Sequence, residues 1–159
     1  MLKLLKLDMT GNSIGKTGAS LLAKAFTDGC RLCHLSLAGN KLGDNVLSRV
    51  LEGMRDGGAS RTLAKLDLRD NNLVLTSSFL AGLSGFPDLL VLDLSYNSIN
   101  LETKLPRKPF LDTLGTLRNL QVFSLHDPGV LLPRNCHNVT RIFTPGMNWV
   151  YFYPGTVTT

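Results

Sequence analysis

Residues Leu63–Leu73 read L-A-K-L-D-L-R-D-N-N-L, and this stretch decides the fold. Its apolar residues fall at 63, 66, 68 and 73, with Asn71 between the last two, which is the spacing L-x-x-L-x-L-x-x-N-x-L. The frame recurs at Leu4/Leu7/Met9/Asn12/Ile14, at Leu32/Leu35/Leu37/Asn40/Leu42 and at Leu89/Leu92/Leu94/Asn97/Ile99. A fifth, damaged copy runs Leu120/Phe123/Leu125/Pro128/Val130, with proline where the asparagine stood. Four intact copies in one register mark an internal repeat.

Inside each frame the middle leucines alternate with polar residues, as in Leu66-Asp67-Leu68 and Leu92-Asp93-Leu94. Period two is a strand signal, one face buried and one wet. The asparagine follows where the chain must turn. An interior amide has to be hydrogen-bonded, so Asn12, Asn40, Asn71 and Asn97 are expected to form a ladder on neighbouring backbone. Between frames, Leu21/Leu22/Ala25/Phe26, Val46/Leu47/Val50/Leu51/Met54, Phe79/Leu80/Leu83 and Phe110/Leu111/Leu114 each give one apolar helix face. A single strand–helix unit cannot bury that face, and stacked neighbours must do so.

The frame resembles the leucine-rich repeat family over roughly residues 4–130. Ile14-Gly15-Lys16-Thr17-Gly18 followed by Leu21–Phe26 is similar to the intracellular ribonuclease-inhibitor-like repeats. Start-to-start spacings of 28, 31, 26 and 31 mix long repeats with a compact one at Phe79–Pro87. The resemblance implies an α/β solenoid, right-handed and curved, of about five repeats starting near 4, 32, 63, 89 and 120. Its parallel sheet would be concave and its helices convex. Residues 1–130 form the repeat domain in this reading, and 131–159 an irregular C-terminal cap or docking tail.

Local departures bear on that plan. Gly57-Gly58 is expected to loosen the second return loop. Lys104-Leu105-Pro106-Arg107-Lys108-Pro109 holds two prolines, which predicts a loop that delays the fourth helix to about residue 110. No polar cap precedes Leu4, which is read as a chain cut from something longer, or as a first strand that pairs with another molecule. The aromatic run Trp149-Val150-Tyr151-Phe152-Tyr153 is read as covering the other end.

Composition narrows the function. Of 159 residues 43% are hydrophobic and 18% charged, and no apolar run approaches the ~20 residues of a membrane span. The net charge of +5 is scattered and lacks aromatic interleaving, so neither nucleic acid nor membrane is expected as a partner. Three cysteines make no disulfide framework, which favours a reducing, cytoplasmic setting. Thr10–Thr17 imitates a phosphate loop but is one residue short of G-x-x-x-x-G-K-[ST]. Cys30-Arg31-Leu32-Cys33-His34 matches a haem attachment string, yet Leu32 and Leu35 are needed as core. A zinc set drawn from Cys30, Cys33, Cys136 and His137 lacks a recognisable spacing. His34, His126 and His137 have no accompanying nucleophile or carboxylate pair. No cofactor, metal or catalytic site is therefore assigned.

The exposed strand positions form two columns. One is Lys6, His34, Lys65, Val91 and Val122; the other is Asp8, Ser36, Asp67, Asp93 and Ser124. An extended sheet face is how stacked repeats bind partners. The expected function is a protein-binding scaffold or adaptor, with Lys65, Asp67, Arg69, Asp93, Tyr96 and His126 as contact candidates. Alternatives left open are a structural subunit docked by its ends in a larger assembly, and a GTPase-activating regulator supported by fold analogy alone.

Overall fold

The computed structural model describes residues 4–101 and 104–125. Five short strands, β1 (Lys6–Asp8), β2 (His34–Ser36), β3 (Lys65–Asp67), β4 (Val91–Asp93) and β5 (Val122–Ser124), pair in chain order. Every pairing is parallel, so each needs a crossover. The crossovers are α1 (Gly15–Thr27), α2 (Asp44–Asp56), α3 (Ser77–Leu83) and α4 (Lys104–Thr116), and each helix packs on the next.

The core lies between sheet and helices. Leu35, Leu66, Leu92 and Phe123, the central residues of β2 to β5, are at most 2% exposed. Behind them sit Leu37, Leu68, Leu94 and Leu125, then Val50, Met54, Phe79 and Phe110 from the helices. Phe110 tilts against Phe123 with ring centroids 5.9 Å apart, tying α4 to β5. Burying each such side chain contributes about 1.5–3 kcal/mol, so stacked turns supply what one turn lacks.

Asparagines stitch the turns together. Asn40 Oδ1 accepts from the backbone N–H of Asn12 and Ile14, both at 3.1 Å, and its Nδ2 donates to Met9 O at 2.9 Å. Asn97 repeats this on the turn before it, accepting from Asn71 N at 2.9 Å and Leu73 N at 3.0 Å. Asn71 accepts from Leu42 N at 3.3 Å and donates to Leu37 O at 2.9 Å. These three are buried, whereas Asn12 is exposed and donates to Thr10 O of its own turn. Asn12 differs because β1 is the sheet edge, with no described turn outside it.

Three expectations are corrected. First, Phe26 and the half-buried Leu22 face the core as expected, but Ala19 and Ala23 complete the inward face of α1 in place of Leu21, which is 65% exposed, and Ala25, which is exposed. Close approach of α2 explains it: a methyl on Gly53 would overlap the Ala23 carbonyl, so small residues face inward on both helices. Second, Gly57 does not loosen the return loop. It accepts from Cys30 N at 2.8 Å, and a Cβ there would overlap Phe26 O. Third, α4 starts at Lys104, ahead of both prolines, not near 110. Pro106 lies in the first turn, where backbone N–H groups have no intrahelical acceptor anyway. Pro109 forfeits one bond inside the helix.

Candidate functional site

Strand register sets the face. Lys6 pairs with His34, His34 with Lys65, Lys65 with Val91 and Val91 with Val122. The second column aligns in the same way through Asp8, Ser36, Asp67, Asp93 and Ser124. Because side chains alternate along a strand, both columns stand on the side opposite the leucine core. Their members on β1 to β4 line an open depression of about 560 Å³.

Polar groups along the second column bind one another. Asp8 Oδ1 accepts from Thr10 N at 2.9 Å and Thr10 Oγ1 at 2.6 Å, and Thr10 Oγ1 lies 2.8 Å from Ser36 Oγ. Ser36 Oγ donates to Asp67 Oδ2 at 3.4 Å. Arg69 Nη2 donates to Asp67 Oδ2 at 2.7 Å, and its Nε lies 3.6 Å from Asp93 Oδ2. Asp93 Oδ1 in turn accepts from Ser95 N at 2.9 Å. This chain of contacts crosses four strands. The two hydrogen bonds from Thr10 hold the Asp8 carboxyl below the usual range, and those that Arg69 donates to Asp67 push its guanidinium above its own.

The first column is different. The side chains of Lys6, His34 and Lys65 make no hydrogen bond or ion pair with the described residues. Desolvation pulls the His34 imidazole below its ordinary pKa of 6.5, and the positive charges of Lys6 and Lys65 pull it further.

Of the six contact candidates, Lys65, Asp67, Arg69 and Asp93 meet in this depression. Tyr96 is 54% exposed and is not part of its lining. It occupies the turn position of Gly11 and Gly39 and shares their left-handed backbone, with φ of 58°. His126 lies outside the described residues, as do Pro128, Cys136, His137 and the 131–159 segment. Sequence reasoning placed Lys6, Asp8, His34 and Ser36 in the columns without choosing them, and it missed Thr10. The Asp8-x-Thr10 spacing, which permits a side chain to bond backbone two residues on, was the available signal.

The motifs that imitate cofactor sites are engaged in the fold. The N–H groups of Asn12 and Ile14, inside the phosphate-loop imitation, are taken by Asn40. Cys30 is 3% exposed in the core, and burial pushes its thiol pKa up. Among the described residues no helix is long and apolar enough to cross a membrane.

A family profile described as Leucine Rich repeat matches residues 1–23. The match supports a leucine-rich repeat family. The parallel five-stranded sheet alternating with helices is consistent with such a fold. Leucine-rich repeats are generally protein-interaction modules and generally not enzymes. Comparison with curated proteins finds no match.

Proposed function

We propose that the chain is a protein-binding module of the ribonuclease-inhibitor-like type, acting as a scaffold or adaptor through a concave sheet face. Residues 1–130 make the repeat domain in this reading, and 131–159 cap it or dock elsewhere. The observation that carries the proposal is the alignment of polar side chains over four adjacent strands, cross-linked by Arg69 and open to solvent. Such groups are held before a partner arrives, so binding forfeits little side-chain entropy. Lys65, Asp67, Arg69 and Asp93 are the contacts proposed first, with Tyr96 and His126 at the margin. Cys30 and Cys33 are both free thiols, in keeping with a reducing, cytoplasmic setting.

The test is capture of the tagged protein with its partners, followed by cross-linking and mapping of linked residues. Links centred on Lys65 and its neighbours on β3 and β4 support the sheet face. Links confined to the β1 end, where Leu4, Leu5 and Leu21 are at least 50% exposed, support a structural subunit docked by its end instead.

A further inference from the structure

Among the described residues β1 is an open edge of the sheet, and the register fixes which of its backbone groups face outward. On β2, His34 N donates to Leu5 O at 3.0 Å and Ser36 O accepts from Met9 N at 2.9 Å, both toward β1. Lys6 and Asp8 hold the same register positions on β1, so their N–H and C=O groups aim away from the sheet. An edge of this kind is a template for another strand. Leucines crowd the same end of the molecule: Leu4 is 59%, Leu5 50% and Leu21 65% exposed. Ile14, Gly18, Leu21 and Ala25 follow the i, i+4, i+7, i+11 spacing of one stripe along α1, turned away from Ala23, against which α2 packs.

The charges on this edge decide what the added strand is. Lys6 and Asp8 flank Leu7 with opposite signs, and among the described residues the Lys6 ammonium and Asp8 Oδ2 make no hydrogen bond or ion pair. Antiparallel alignment of two β1 strands about Leu7 sets Lys6 of each copy opposite Asp8 of the other, Leu7 opposite Leu7, and Leu5 opposite Met9. Lys6 and Asp8 are also the residues whose backbone groups aim outward, so each facing pair can exchange both N–H···O bonds. Charge, apolar contact and hydrogen bonding select one alignment. We infer that the β1 edge takes a second copy of this chain, the two β1 strands pairing antiparallel about a twofold axis through Leu7. Such an axis, normal to the sheet, keeps both helix layers on one side and brings the two α1 stripes alongside each other. The open sheet face then continues from one copy into the other. This inference goes beyond the sheet-face reading and does not depend on it.

The experiment is sedimentation velocity on the full chain over a range of concentrations, with thermal melts confirming that each variant folds. The native protein is expected to dimerise. Lys6→Asp and Asp8→Lys each set like charges opposite one another at both pairs, and should weaken the dimer at least about tenfold. An equimolar mixture of those two variants restores opposite charges at both pairs and should form a heterodimer. The combined Lys6→Asp/Asp8→Lys chain should dimerise with itself. Lys65→Asp, a reversal on the same face two strands away, should leave the dimer unchanged.

A native protein that stays monomeric at every concentration overturns the inference. So does a dimer that survives both single reversals, which would lie on another surface, and so does a mixture of the two variants that fails to associate. Equal weakening by Lys65→Asp also overturns it, because net charge and not edge pairing would then govern association.

Discussion

Arg69 grips Asp67 from two residues further along the chain, with Nε 2.9 Å from Oδ1 and Nη2 2.7 Å from Oδ2. The fork geometry of guanidinium matches both carboxylate oxygens at once, and the same Nε lies 3.6 Å from Asp93 Oδ2 on the next strand. A side chain that looks in the sequence like a free cation is a brace between two strands. The face is therefore ordered before it is occupied.

That brace adds little to stability. Arg69 is 45% and Asp67 25% exposed, so solvent screens the pair. Arg69→Ala should lower unfolding free energy by at most about 1 kcal/mol in urea titration. A loss of several kcal/mol would show that the face is part of the folding core.

Ladder positions should differ sharply in cost. Asn97→Ala leaves the buried N–H groups of Asn71 and Leu73 without their acceptor, and should cost about 2–4 kcal/mol. Asn12→Ala removes an exposed side chain bonded only within its own turn, and should cost less than about 0.5 kcal/mol. Equal losses in denaturant unfolding would contradict the edge position of Asn12.

Asp44 presents a second buried dependency. Its carboxylate accepts from Val74 N at 2.8 Å and Thr76 N at 2.7 Å, straddling Leu75, whose φ is 65°. A leucine in left-handed backbone costs roughly 1–2 kcal/mol, and the clamp offsets that strain. Asp44→Ala should destabilise by about 2–3 kcal/mol in thermal melts, and Asp44→Asn, which keeps one carbonyl acceptor, should cost clearly less. Equal losses would mean that the clamp does something other than accept from this turn.

His34 gives a pH signature. Its folded pKa lies below 6.5, so the unfolded chain takes up the proton first as pH falls. The burden on stability is absent well above 6.5 and sets in as pH drops through that value toward the folded pKa. Lys65→Met should raise the imidazole pKa in an NMR titration, since it removes one of the two repelling charges. An unchanged midpoint would show that the two side chains do not share one surface.

Much of this was legible in the leucines. The frames at 32, 63 and 89 set strand position and register together, because a slip by one residue would turn every leucine outward. What stayed hidden is where elements approach closely. Gly57 reads as a loosened return loop until the α1 backbone is seen against it and against Gly53. The Pro106/Pro109 pair read as a helix break because propensity ignores that the first turn, which holds Pro106, needs no N–H acceptor, and that a packed helix tolerates the one bond Pro109 forfeits. The site was half legible: register gave the columns, but nothing in the sequence distinguishes an aspartate already gripped by Arg69 from an open one.

The most direct test of the sheet face is capture of native partners by Asp67→Lys/Asp93→Lys, with thermal melts confirming that the variant folds. Reversal replaces both acceptors of Arg69 with cations and breaks the cross-strand chain of contacts. The account predicts that capture is lost while a pair of substitutions on the exposed side of α1, Lys16→Ala/Lys24→Ala, leaves it unchanged. Every partner retained by a folded Asp67→Lys/Asp93→Lys protein would contradict it.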